Sequence, residues 1–362
     1  MRLRRLRIER LRLIDSAELD FGPGLHWLVG PNGSGKSSAL EAVSLLASGR
    51  SFRGGSPDGC IQRGAESLTV FAEVERPGSG PGRVGLTRVL RGGFEARVDG
   101  QRADVLSELF QAFPAVVFPA DTGELISGPG ELRRRFLDWG LFHVEQDFYP
   151  AWRRYARALR QRNLLLRQRG SASVEQAWLE ELAREGELIH GYRERYLSSL
   201  DARLSEVASW LLPGLGRPRL RHRPGWPADR GSFHEALLRQ QDTDRRMGFT
   251  GIGPHRAGWS LGFESLPQRE LFSRGQAKLA SLLMLLVQVA DFSAQRGEPP
   301  VLGLDDALAE LDPDNQARLV HYLRQHQVQA LLATADHSVL ERHVDEASDV
   351  FHVEQGRLHR QL

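Results

Sequence analysis

The sequence predicts a split α/β domain with a mostly helical lobe inserted in its middle. Three observations carry that reading. Short apolar or alternating stretches crowd the first quarter of the chain and return near its end. Between about residues 124 and 245 the apolar residues instead recur every three or four positions. A glycine-rich turn, Gly30–Ser37, sits between an apolar run and a helical pattern. The boundaries drawn from these shifts are 1–122 plus 246–362 for the split domain and 123–245 for the insert.

Residues 2–8 and 17–21 alternate as strands do, and Leu25–Val29 is a continuous apolar strand. Ser37–Ala47 reads as a helix, with Leu40, Val43 and Leu46 on one side and Gly49 ending it. Residues 68–75 and 84–90 pair around a Pro/Gly/Ser tip at 77–82, and Val98-Asp99-Gly100 marks a further turn. Helical spacing then covers 131–143, 151–168, 174–212 and 232–245; the third is a long helix or a helical pair, interrupted by Gly186 and Gly191. Four prolines, Pro213, Pro218, Pro224 and Pro227, make 213–227 a loop. From Ser260 strands return: a helix over 276–292, buried strands at 301–304 and 329–334 with a helix over 313–326 between them, and a terminal hairpin around 350–358.

Composition excludes several classes. At 41% hydrophobic and 26% charged the chain is that of a soluble globular protein, with no run of 18 apolar residues and no secretory leader at its basic start, so a cytoplasmic location without a membrane is expected. A single cysteine, Cys60, forbids an intrachain disulfide and fits a reducing compartment. A net charge of +2 does not by itself argue for nucleic acid. Of 48 basic residues only Lys36 and Lys278 are lysine. A lysine kept in an arginine-biased chain marks a place that needs a compact ammonium.

Lys36 lies in Gly30-Pro31-Asn32-Gly33-Ser34-Gly35-Lys36-Ser37, which matches G-x-x-x-x-G-K-[ST] at each fixed position, with a strand before it and a helix after it. Glycines allow successive backbone N–H groups to turn inward around phosphates, and the helix N-terminus adds positive potential. The motif therefore predicts ATP and Mg²⁺ as cofactors, with Lys36 on the β- and γ-phosphates and Ser37 on the metal. The apolar strand Val301–Leu304 ends in Asp305 and Asp306. Asp305 is the second metal-side residue and Asp306, facing the attacking water, the catalytic carboxylate beside Lys36. Leu271-Phe272-Ser273-Arg274-Gly275-Gln276 opens an apolar helix; a Ser hydroxyl, a Gly N–H and a helix N-terminus together suit an anion.

The chain resembles the ATP-binding-cassette superfamily on these motifs. The 271–276 segment is similar to its L-S-x-G-Q signature with Phe272 inserted, and Glu310-Leu311-Asp312 is similar to its D-loop. The resemblance implies a P-loop ATPase head in which Ser273, Gly275 and Gln276 complete the nucleotide site of a second chain, giving an ATP-dependent homodimer. Asp306 stands where many cassettes carry Glu, which implies slow turnover. The place of the Q-loop falls on Phe118-Pro119-Ala120-Asp121, and His337 follows the strand where a switch histidine would stand.

Spacing selects a branch. About 240 residues separate Gly30 from Ser273, more than in a transporter ATPase subunit and too few for the coiled-coil arms of a structural SMC-like DNA tether. With Arg50-Ser51-Phe52-Arg53, the block Arg133-Arg134-Arg135-Phe136-Leu137-Asp138-Trp139-Gly140-Leu141-Phe142 and Gly253-Pro254-His255-Arg256, the chain resembles the RecF family of bacterial recombination mediators from end to end. That resemblance implies recombinational repair and replication-fork maintenance, weak regulatory ATP hydrolysis, and support of SOS induction. It implies as partners single-stranded, gapped or duplex DNA and the mediators RecR and RecO. Residues 148–174 hold seven arginines and no acid; Arg153, Arg157 and Arg160 share one helical face and are the candidate DNA contacts.

Overall fold

The computed structural model describes residues 1–76, 78, 80–119, 123–168, 171–268, 272–345 and 348–361. They fall into two compact units, Met1–Thr122 with Arg296–Leu362, and Gly123–Gln295. The first unit begins with β1 (Arg2–Leu11), β2 (Ile14–Asp20), β3 (Leu25–Val29), α1 (Lys36–Ser48), β4 (Ser67–Arg76), β5 (Gly80–Val89), β6 (Phe94–Val98), β7 (Gln101–Arg102), α2 (Leu106–Ala112) and β8 (Ala115–Phe118). The second holds α3 (Glu124–Ser127), α4 (Gly130–Val144), α5 (Phe148–Gln168), α6 (Ala172–Leu211), β9 (Pro218–Arg223), α7 (Phe233–Met247), β10 (Gly258–Phe263) and α8 (Arg274–Arg296). The chain returns to the first unit with β11 (Val301–Asp305), α9 (Pro313–Gln325), β12 (Ala330–Thr334), α10 (His337–His343), β13 (Asp349–Glu354) and β14 (Arg357–Arg360).

Two six-stranded sheets build the first unit. One is antiparallel in the order β2-β1-β4-β5-β6-β7; the other runs β14-β13-β3-β12-β11-β8 and is parallel apart from β14. β3, β11 and β12 are buried along their whole length, as strands covered on both faces must be. α1 lies between the sheets, against β1, β4 and β5 of one and β8, β11 and β12 of the other. Its Leu40, Val43 and Leu46 are fully buried in the shared core. The Gln329 side chain stitches the sheets together: its Oε1 accepts from the Leu3 N–H at 2.7 Å and its Nε2 donates to the Leu3 carbonyl at 2.8 Å. Leu3 borders the register shift between β1 and β4, where the ladder leaves its backbone needing partners. Cys60 is buried in this core and burial pushes its thiol up, which suits an inert residue.

In the second unit residues 172–211 form one helix, not a pair. Gly186 is there for packing: a Cβ on it would lie 2.5 Å from the Phe233 ring of α7. α8 is long and apolar enough to cross a bilayer by length and composition, but 78% of its most apolar stretch is buried inside the fold, as in a core helix. Two differences from the sequence reading are instructive. Within the proline-rich segment, 218–223 is a strand, paired antiparallel with β10 from Pro218↔Phe263 to Arg223↔Gly258. Pro218 is its first residue, where a missing N–H is tolerated. The second boundary between units falls at 295/296, whereas the change of pattern pointed to 245/246; β10 packs on β9 and α4, and α8 meets α4 through Gln288, which donates to the Phe136 carbonyl at 2.8 Å, and through Phe292 against Trp139. The tip residues Pro77 and Ser79 lie outside the described residues.

The Gly253-Pro254-His255-Arg256 block closes this unit. His255 Nε2–H donates to the Thr250 carbonyl at 3.1 Å, and Nδ1 lies 2.6 Å from the Tyr155 hydroxyl, from which the neutral ring accepts. Burial pushes the His255 pKa down to about 4 from 6.5, with the neighbouring Arg256 adding to the shift. A folded-state value below the unfolded one means the contribution to stability is complete above pH 6.5 and is lost as pH falls towards 4. The loss amounts to about 3 kcal/mol. Denaturant unfolding at pH 7 and pH 4.5 checks this: His255→Asn should show a clearly smaller drop in stability than the parent chain, and equal drops would reject the assignment.

Candidate nucleotide site

The Gly30–Ser37 loop joins β3 to α1 and lines a cavity of about 520 Å³ in the first unit. Asn32, Gly33, Gly35, Lys36 and Ser37 form one wall, and Asp306 joins them from the end of β11. Gly33 and Gly35 have φ of +78° and +120°, which turns the loop backbone inward. Gly30 has a different constraint: a Cβ there would lie 2.1 Å from the Val353 carbonyl oxygen of β13. Gln355 and Gly356, at φ +47° and +79°, make the two-residue turn between β13 and β14. The Gly356 N–H donates to the Ser34 carbonyl at 2.7 Å, and a Cβ on Gly356 would meet the Leu13 carbonyl oxygen at 2.1 Å. The loop is thus braced from behind by the last hairpin of the chain.

The polar groups converge as the motif requires. Lys36, nearly buried, holds its Nζ on the Gly30 and Pro31 carbonyls at 2.8 and 3.1 Å. The Ser37 hydroxyl donates to Asp305 Oδ1 at 2.9 Å, so the two metal-side candidates touch across 268 residues of chain. Asp305 is 6% exposed. Burial pushes its carboxyl above the ordinary range, against the Ser37 hydrogen bond, and the adjacent Asp306 adds to the rise. Asp306 has φ +47°, a left-handed conformation uncommon for a residue with a Cβ, held by its N–H on the Ala333 carbonyl at 3.0 Å. The Ser34 hydroxyl is buried with no protein partner. An orphaned hydroxyl among inward amides, an ammonium, and a hydroxyl–carboxylate pair fits a nucleoside triphosphate with a divalent cation.

Two further residues, Arg12 and Arg53, line the cavity. Both are oriented by Glu41, a carboxylate with no solvent exposure on the inner face of α1: Arg12 binds it through two nitrogens at 3.1 and 2.8 Å, and Arg53 lies 3.9 Å away. Arg53 falls in a motif block but carries no spacing signal for a role, and Arg12 lies 29 residues from Glu41 in sequence.

The other candidates are not among the residues that line the cavity. Ser273 caps α8 in the second unit: its Oγ accepts from the Gln276 N–H at 3.2 Å while Gln276 Oε1 accepts from the Ser273 N–H at 2.9 Å. Ser273, Arg274 and Gly275 are exposed. Leu271, Ala120 and Asp121 lie outside the described residues. His337 is exposed at the start of α10, and Asp312 caps α9 through the Asn315 N–H. Of the arginines on α5, Arg153, Arg157 and Arg160 are exposed, with Arg153 over the Tyr149 ring and Arg157 over Trp178. Arg162 departs from that face: it is 0% exposed and bonded to Asp244 at 2.8 Å and Thr250 at 2.7 Å. Arg154 is paired with Glu185, and Arg169 lies outside the described residues.

Residues 2–359 match the family model of the RecF/RecN/SMC N-terminal domain. A DNA replication and repair protein RecF from Xanthomonas oryzae pv. oryzae is 45% identical, over 99% of this chain and 98% of its own. The chain belongs to the RecF family. A RecF from Pseudomonas putida is 36% identical over 99% of this chain and 98% of its own. The fold agrees with a solved RecF–ATP structure at a TM-score of 0.89 and 23% identity, covering 99% of this chain and 97% of that one. An SMC head bound to the C-terminal winged-helix domain of ScpA follows at 0.61 and 15%, covering 100% and 97%. The RecF family therefore shares its ATPase-head architecture with SMC heads.

The bracing of the loop gives a test specific to this fold. Gly356→Ala places a Cβ at positive φ and 2.1 Å from the Leu13 carbonyl oxygen. The left-handed penalty alone is about 1–2 kcal/mol, and the clash adds to it. Thermal unfolding should show the loss, and calorimetric titration should show weaker ATP binding than the parent chain. Parent-like ATP affinity in the variant would separate the hairpin from the loop.

Proposed function

We propose that this RecF-family chain is an ATP-dependent DNA-binding protein of recombinational repair that dimerises on ATP. The observation that carries the proposal is the cleft in which the Gly30–Ser37 loop, the Ser37–Asp305 hydrogen bond and Asp306 meet. It is supported by the relatives named as DNA replication and repair proteins and by a structural neighbour described as a recombination mediator in the RecFOR pathway.

In this reading the backbone N–H groups of Gly33, Ser34 and Gly35 and the ammonium of Lys36 hold the phosphates. Ser37 and Asp305 hold Mg²⁺, which when bound offsets the negative charge of the phosphates and of Asp305. Asp306 orients the attacking water, and its short side chain suits slow hydrolysis used as a switch. Exposed Ser273 and Gly275, with Gln276, complete the site of a second chain, so association reports bound ATP. Arg153, Arg157 and Arg160 contact DNA phosphates, and RecO and RecR act as mediator partners in the cytoplasm. Sequence-independent phosphate contacts suit a protein that recognises gaps and junctions by shape.

The test combines calorimetry, sedimentation and DNA-binding titrations. Lys36→Ala should weaken ATP binding by about 100-fold or more, about 2.8 kcal/mol. Ser273→Arg should bind ATP as the parent chain does but remain a monomer with it. Arg153→Glu, Arg157→Glu and Arg160→Glu together should keep ATP binding, weaken DNA binding and flatten its salt dependence by about one logarithmic unit per lost contact. A dimer of unchanged strength without ATP would contradict the switch, and unchanged DNA affinity in the triple variant would move the DNA surface elsewhere.

A further inference from the structure

The helical unit carries a second group of metal-type ligands far in sequence from the nucleotide loop. His190 and Glu194 stand four residues apart on α6, one turn above the other on the same face. His222 comes from β9, with its ring stacked on His190 at 5.2 Å between centroids and 18° between planes. One donor atom from each of the three lies within 4.8 Å of the other two. Among the described residues no other group of three His, Cys, Asp or Glu side chains is so arranged.

The surroundings leave these atoms available. His190 Nδ1 and His222 Nε2 are buried without a hydrogen-bond partner. Glu194 reaches the His222 ring through Nδ1, and the arginines on either side of it are directed elsewhere. Arg193 binds Asp138 and the Pro254 carbonyl, and Arg195 lies by Glu145. No guanidinium neutralises the carboxylate, whose partner in the cluster is the His222 ring itself. Trp226 packs edge-on against His190 and supplies an apolar wall. Two imidazoles and one carboxylate form a donor set suited to zinc. A tetrahedral ion needs its ligand atoms about 3.3–3.5 Å apart and in the plane of each imidazole, so the stacked rings would turn about their side-chain bonds to converge on it.

We propose that His190, Glu194 and His222 form a Zn²⁺ site that clamps β9 to α6. Its ligands come from one helix and one strand of the same unit, so the bound ion would tie the 213–227 segment to the long helix. Hard oxygen-seeking Mg²⁺ is not its natural occupant, since two of three donors are imidazole nitrogens.

The untagged full-length chain, freed of metal with a chelator and dialysed, is titrated with Zn²⁺ in the presence of excess Mg²⁺, with Co²⁺ as a spectroscopic probe. The expected result is one equivalent of Zn²⁺ bound, a rise in melting temperature, and the strong visible absorption of Co²⁺ in a site of low coordination number. His190→Gln with His222→Gln should lower Zn²⁺ affinity at least about tenfold, the scale on which metal sites respond to altered ligation. Glu194→Gln is the second variant; half of that side chain is exposed, so it keeps the fold and should also lower affinity about tenfold. ATP binding by both variants should stay at the parent level. A parent chain that cannot compete with a weak chelator for Zn²⁺, or variants that bind Zn²⁺ as the parent does, would overturn the proposal.

Discussion

The hydrogen bond from the Gly356 N–H to the Ser34 carbonyl is the contact on which the nucleotide cleft depends. It ties the loop after β3 to a turn more than three hundred residues later. Around it the same logic repeats: Gly30 fits under the Val353 carbonyl, Ser37 bonds Asp305, and Gln329 bonds the Leu3 backbone. Each contact joins one end of the chain to the other. The central sheet has the same character, since β3 lies between β12 and β13. The first unit therefore cannot form until both chain ends are present, and the segment between them is free to be a unit of its own.

Chemistry at the cleft follows from that bracing. Lys36, Ser37 and Asp305 are nearly buried or half-buried, and none of them is long-range in its reach; they meet because their backbones are fixed. A left-handed Asp306 directly after a buried strand points its carboxyl to the cavity at some cost in backbone strain. Glu41 extends the arrangement outward, holding Arg12 and Arg53 at the rim. Ser273 belongs to the other unit, where it caps α8 and is exposed.

Much of this was legible in the sequence because the relevant signals are local. Loop glycines, the strand before them, and a strand ending in Asp305-Asp306 each follow from a few neighbouring residues. β3, β11 and β12 read clearly because both their faces are apolar. Elements decided by tertiary contact did not read. β8 is four residues between Pro114 and Pro119, and it is a strand only because β11 lies beside it. β9 hides behind Pro218 and becomes visible when β10 is set against it. Arg162 looks like one more surface arginine until Asp244, 82 residues on, proves to be its partner. Arg12 and Arg53 could not be assigned to the cleft, since Glu41 has no pattern that announces a buried carboxylate.

The cleft lies in one unit, and Ser273, proposed above to complete the cleft of a second chain, is exposed on the other. The account's central claim is that a complete site draws one half from each of two molecules. Mixing Lys36→Ala chains with Ser273→Arg chains tests it most directly, by measuring ATP hydrolysis of each variant alone and of the mixture. In a mixed dimer one site unites both defects, and the other unites intact Lys36 with intact Ser273. The account predicts that each variant alone is inactive and that the mixture recovers a substantial fraction of the parent rate. A mixture as inactive as its components, or Ser273→Arg chains fully active by themselves, would contradict it.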